Sequence, residues 1–204
     1  MALKFANNNS LSAITSAPSG VGGGSLNLIS TQTASSSSTI SFTSGIDSTY
    51  KQYLFKFINL HPSADSAALL FNMSVDSGSN YNVTKTTTIF EARHTEDGAT
   101  SSVAYSGRTL SEDLAQSTSF QRLANNASSD SDHGVSGYIH LFDPSDTTFV
   151  KHYIGLISVI NNNNGAYQYY NAGYGNTTSA VDAIQFKMDS GNIDSGTIKL
   201  YGIS

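Results

Sequence analysis

The sequence predicts an all-β protein: an antiparallel β-sandwich, jelly-roll-like, with an extended N-terminal arm. Three observations lead there. From Thr39 onward, apolar residues alternate with polar ones at period two in segment after segment, the spacing of a half-buried strand. No strand–helix–strand alternation is visible, which argues against a doubly wound sheet. The closing stretch GTIKLYGI (196–203) reads as a strand with Ile198 and Leu200 on one face and Lys199 and Tyr201 on the other. A buried terminal strand fits folds in which chain-distant strands pair.

Residues 1–38 differ from the rest. Gly and Ser dominate them, and Leu11, Ile14, Val21, Leu26, Leu28 and Ile29 are scattered without a period. Such a segment cannot build a core alone. It reads as a docking arm, with Leu11, Ile14, Leu26 and Leu28 as candidate contact residues and 39–204 as the sandwich domain.

The strands follow in order. TISFTS (39–44) alternates Ile40 and Phe42 with small polar residues. In YKQYLFKFINLHP (50–62), Tyr53, Phe55 and Phe57 share one face, while Leu54, Ile58 and Leu60 share the other. A strand apolar on both sides needs a cover on both. A sandwich supplies one internally, so the segment predicts a homo-oligomer, a trimer first. Pro62 closes the strand because it has no N–H for a ladder. SAALLFNMSV (66–75) and TTTIFEAR (86–93) are further strands, set off by Asp, Ser, Gly and Asn. SEDLAQSTSFQRLA (111–124) is the one helix candidate: Ser111 can cap it, and Glu112 and Asp113 suit a first turn. Tyr138–Phe142 and Thr148–Ile160 form a hairpin around Asp-Pro-Ser-Asp, where Pro144 presets the turn. AIQFKM (183–188) points Ile184, Phe186 and Met188 inward.

Composition narrows the function classes. The 204 residues fit one all-β domain. Charged residues are 12% of the chain, about half the usual share, and no basic patch suggests a nucleic-acid partner. No apolar run is long enough to cross a membrane. Residues 1–20 hold Lys4 but no apolar stretch of a secretory leader, and cysteine is absent. The expectation is synthesis in a reducing cytoplasm, with later release compatible.

The candidate chemistry is sparse. His61, His94, His133, His140 and His152 include no helical i, i+4 pair. His140 and His152 lie on opposite arms of the hairpin, where some registers would make them neighbours at a metal or pH-sensitive site. Asp130 and Asp132 in DSDHG resemble the start of a calcium loop but lack its terminal Glu. The glycines of GVGGGS have no following Lys and read as linker. Glu91, Glu96, Asp97 and Asp113 are carboxylates without a recognisable catalytic pattern. No catalytic residue, cofactor or metal is therefore assigned. In NNNNGAYQYYNAGYGNTT (161–178), Tyr167, Tyr169, Tyr170 and Tyr174 sit among Asn and Gly. Tyrosine suits contact surfaces, so the segment is either a strand pair with Tyr167 and Tyr169 facing out or a surface for a subunit or a sugar.

Three stretches carry a resemblance. MALKFANNNSLSAITSAPSGV at the start, YKQYLFKFINLHPS in the middle and TTSAVDAIQFKMDSGNIDSGTIKLYGIS at the end resemble virion structural proteins of tailed bacteriophages that infect marine bacteria, cyanophages especially. Phe57–Pro62 and Ile184–Gly202 carry the most specific matches. The resemblance implies a non-enzymatic particle component in the virion, assembled in the host cytoplasm: a capsid decoration, neck or tail-fibre protein with no catalytic residues to carry over. The implied partners are its own copies and other virion proteins. The alternative is a receptor- or glycan-binding module of a fibre, and a third reading is a carbohydrate-active enzyme on the same sandwich.

Overall fold

A computed structural model describes residues 26–105 and 112–204. Among them are twelve strands and no helix: β1 (Leu26–Thr33), β2 (Ile40–Phe42), β3 (Gln52–Pro62), β4 (Ala67–Ser74), β5 (Lys85–Thr95), β6 (Ser101–Tyr105), β7 (Gln121–Ala127), β8 (Val135–Phe142), β9 (Lys151–Ile160), β10 (Gly165–Gly175), β11 (Ala183–Met188) and β12 (Ile193–Ile203). They form two antiparallel sheets. The larger runs β1-β12-β3-β8-β9-β10-β5-β6 and the smaller β2-β11-β4-β7.

This order is that of a jelly roll with two additions. Without β5, β6, β9 and β10, the chain is one long hairpin whose rungs are β1·β12, β2·β11, β3·β8 and β4·β7, alternating between the sheets. The contacts β12·β3 and β11·β4 then roll it up. The hairpins β5–β6 and β9–β10 widen only the larger sheet. β12 is therefore interior, held by β1 on one edge and β3 on the other, with Ile198 and Leu200 buried.

The core lies between the sheets. Phe186 of β11 sits amid Phe42, Phe55, Phe57 and Phe71, with ring centroids 5.1–6.4 Å away. Tyr153 of β9 packs edge-on against Phe71 at 4.9 Å. Every residue of β4 is buried, the apolar run Ala67–Phe71 and Met73 together with the polar Asn72 and Ser74.

Three expectations change. Leu26–Thr33, read as part of the arm, is strand β1, and Ser36 and Ser37 continue its backbone bonds to Asp194 and Ile193. The open edge of β12 accepts this pairing despite a weak apolar pattern, so the sandwich begins by residue 26. Leu26 and Leu28 are 54% and 55% exposed on that edge strand. Leu11 and Ile14 lie outside the described residues.

The helix expected at 111–124 is absent over its described part. Residues 112–120 are irregular, Ser117 bridges to Lys85, and Gln121 opens β7. The Ser-Thr-Ser centre offers no apolar helical face, whereas Leu123, Ala124 and Ala127 complete the inner face of the smaller sheet.

The two faces of β3 are also not as the alternation implied. The register shifts between Phe57 and Leu60, where Asn59 has φ 48°. This bulge turns Leu60 inward beside Tyr53, Phe55 and Phe57. Opposite it, Gly196 has φ 106°, and a Cβ there would lie 2.3 Å from the Asn59 carbonyl oxygen, so only glycine fits. The expected hairpin forms, with its second arm starting at Lys151 rather than Thr148 and residues 143–150 as the connection. Asp146 N–H donates to Asp143 O at 3.1 Å to close the turn.

Candidate functional site

The larger sheet has an inner face against the core and an outer face with no second layer among the described residues. Its register lines the outward side chains up in rows. The central row runs Lys199, Lys56, Tyr138, Leu156, Tyr170, Phe90, Tyr105 from β12 to β6. On one side of it lie Tyr201, Leu54, His140, Ile154, Ala172 and Thr88. On the other lie Ser136, Ser158, Gln168, Ala92 and Val103. Beyond the Tyr201 row come Ile203, Gln52 and Phe142, then His152, Tyr174 and Thr86.

No carboxylate stands in any of these rows, although the chain carries a net charge of −5. Phe90, Tyr105, Tyr138, Ile154 and Tyr170 are exposed. Phe90 and Tyr170 stack at 4.5 Å with ring planes 7° apart. Because Ala172 and Thr88 are short, the surface dips to about 260 Å³ among Phe90, Tyr138, Ile154, Leu156 and Tyr170. A second dip of about 360 Å³ continues towards His152 and Tyr174. Clustered exposed apolar side chains of this kind are uncommon on monomeric soluble proteins.

The tyrosine segment divides by parity. Tyr170 and Tyr174 are on the outer face, but Tyr167 and Tyr169 point inward and cannot serve as contact residues. Tyr169 is fully buried and donates to Asn125 O at 3.3 Å. Burial, with Glu91 nearby, holds its hydroxyl protonated well above the ordinary range. Tyr167 stacks beside it at 6.3 Å. Asn171, two residues on, also faces in and donates to Leu123 O at 2.8 Å. The inner side of this part of the sheet is thus polar. Glu91 and Glu112 are both buried there. Burial first and Glu91 second push the Glu112 carboxyl above its usual value.

The histidine pair does not converge. His140 stands opposite Ile154, two positions along β9 from His152. Its Nδ1 is 2.6 Å from Gln52 Nε2, and burial lowers its pKa. His152 lies against Tyr174, ring to ring at 6.1 Å. Asp130 and Asp132 flank His133, each 3.8 Å from one of its ring nitrogens. Among the described residues no three His, Asp or Glu side chains gather as metal ligands.

Lys85 has a different use. It is fully buried, and its Nζ donates to Asn72 Oδ1 at 2.5 Å and Val83 O at 2.7 Å, tying β5 to β4. Two acceptors suit the two N–H bonds of a neutral amine. Burial lowers its pKa from 10.5 to about 7. Between those values the unfolded chain holds the proton and the folded one does not, so stability rises with pH across that window. The unfolding free energy should climb from about pH 7 to 10 by on the order of a few kcal/mol, and Lys85→Met should flatten the climb. Equal slopes in variant and parent would refute this role.

Sequence reasoning missed Lys56, Phe90, Val103, Tyr105, Tyr138, Ile154 and Leu156. Adjacent apolar pairs such as Ile89–Phe90 are the available signal, since they mark strands apolar on both faces. Neither the family models, the curated proteins nor the solved structures provide a match to this chain.

Proposed function

We propose that the chain is a non-enzymatic structural component of a tailed phage particle, joining its neighbours through the outer face of the larger sheet and through residues 1–25. The observation that carries this reading is that face: broad, aromatic and free of carboxylates, on a sandwich whose own core is already complete. Association hides such a surface. The resemblance to virion proteins supports the same reading, and its two strongest stretches meet in the fold. Phe57–Pro62 lies along Ile193–Ile198, with Asn59 against Gly196. The shared residues therefore belong to the scaffold, which accounts for a likeness that does not say where on the particle the protein sits.

A second reading, a glycan-binding module, is favoured by the dip beside the Phe90–Tyr170 stack, since aromatic rings offer apolar faces to sugars. The two readings separate in one experiment. The chain should be present in purified particles of a phage that encodes it. A Val103→Glu/Tyr105→Glu variant, or one lacking residues 1–25, should fold but be missing from particles when supplied in trans. Absence of the parent chain from particles overturns the proposal. Normal incorporation of both variants, with glycan binding lost in Tyr170→Ala, supports the module instead.

A further inference from the structure

The central row of the outer face has an order that matters. Lys199 and Lys56 occupy one end, Phe90 and Tyr105 the other, and Leu156 of β9 the middle, with Tyr138 and Tyr170 on either side of it. β9 is the fourth of the seven strands from β12 to β6. The row is therefore complementary to its own reverse.

We infer that this face binds a second copy of the chain about a two-fold axis running along β9. The inference rests on reading the outer face as an assembly surface but does not require a virion. A two-fold parallel to the strands keeps each residue at its own height and exchanges the two ends of every row. Lys56 then lies over Phe90 of the other copy and Lys199 over Tyr105, each pair occurring twice. Tyr138 meets Tyr170, and Leu156 meets itself. In the neighbouring rows Phe142 meets Tyr174 and Leu54 meets Thr88. No position sets two lysines against each other, and on the axis His152 meets its own counterpart.

Three facts favour a second copy over another occupant. First, Lys56 and Lys199 are directly opposite on adjacent strands, a like-charge pair that costs stability. Neither has an ion pair or side-chain hydrogen bond among the described residues, where the pairs of Lys51 and Arg122 lie elsewhere. An aromatic ring over each ammonium group offsets that cost. Second, the absence of carboxylates leaves aromatic rings as the face's own partners for its cations. Third, the size is adequate. Seven strands about 4.8 Å apart and four rows about 7 Å apart give roughly 600 Å² per copy. Two copies reach the lower limit of about 1,000–1,200 Å² for a specific interface. Facing sheets pack about 10 Å apart, within reach of a lysine stem and a ring.

The test is a charge reversal across the axis. The parent chain should sediment at twice 21.6 kDa at micromolar concentration. Lys56→Glu alone and Phe90→Lys alone should each weaken the dimer by about tenfold or more. The double variant should regain it, because each new Glu faces a new Lys of the other copy. Within one chain the two residues are four strands apart, about 19 Å, so recovery cannot be internal. All three variants should keep the melting profile of the isolated subunit. A monomeric or trimeric parent, or a double variant as weak as the singles, overturns the inference. A dimer missing from phage particles leaves this inference standing and removes the proposed function. A monomer found in particles does the reverse.

Discussion

Leu200→Asp should leave the chain without a cooperative unfolding transition, while Lys199→Thr, one residue away, should melt within a few degrees of the parent. Leu200 is fully buried and stands between Ser30 of β1 and Phe55 of β3. Losing its side chain from a packed core costs about 2–5 kcal/mol. An aspartate in its place adds an unpaired charge in an apolar setting or the cost of taking up a proton there, several kcal/mol more. The sum rivals the whole stability of a domain, about 5–15 kcal/mol. β12 also joins β1 to β3, so loosening it opens two interfaces of the larger sheet. Lys199 points the other way, and threonine is at ease on a strand, so that change should cost under about 1 kcal/mol. Far-UV dichroism during heating checks both. If Leu200→Asp melts as the parent does, β12 is not a closing element of the core.

Phe186→Ala should lower stability by about 3–5 kcal/mol. Phe186 is the ring shared by Phe42, Phe55, Phe57 and Phe71, which come from β2, β3 and β4 in both sheets. Its removal leaves a cavity whose walls belong to three strands, and pleated strands cannot close on it without shifting their pairing. Phe149 is 70% exposed in the turn before β9, and Phe149→Ala should stay within about 0.5 kcal/mol. Urea midpoints at constant slope measure the difference. A Phe186→Ala loss under about 1 kcal/mol would mean the site collapses freely and the sheets are not rigidly matched there.

Much of the fold was legible in local patterns. Ile184, Phe186 and Met188 alternate with Gln185 and Lys187, and all three face in. The Asp143–Asp146 turn was legible because Pro144 and its flanking carboxylates act over four residues. The candidate site was far less so. Tyr167 and Tyr169 share one parity and Tyr170 and Tyr174 the other, and nothing within the segment says which parity meets the core. The pairing of β10 with β9 and β5 decides it. On β3, one bulge at Asn59 exchanged the faces of everything beyond it.

By itself the sequence determined that the chain forms strands, where most of them lie, and that its terminal strand is built for burial. These follow from a period of two and from turn chemistry, both local. Only the tertiary structure decided that Leu26–Thr33 is a strand rather than part of an arm. A weakly patterned segment pairs when an open sheet edge, here that of β12, supplies its hydrogen bonds. Tertiary structure alone also gathered Lys199, Lys56, Tyr138, Leu156, Tyr170, Phe90 and Tyr105 into one row. Those seven residues come from seven strands spread over more than a hundred positions, and only the inter-strand register, a non-local property, sets their order.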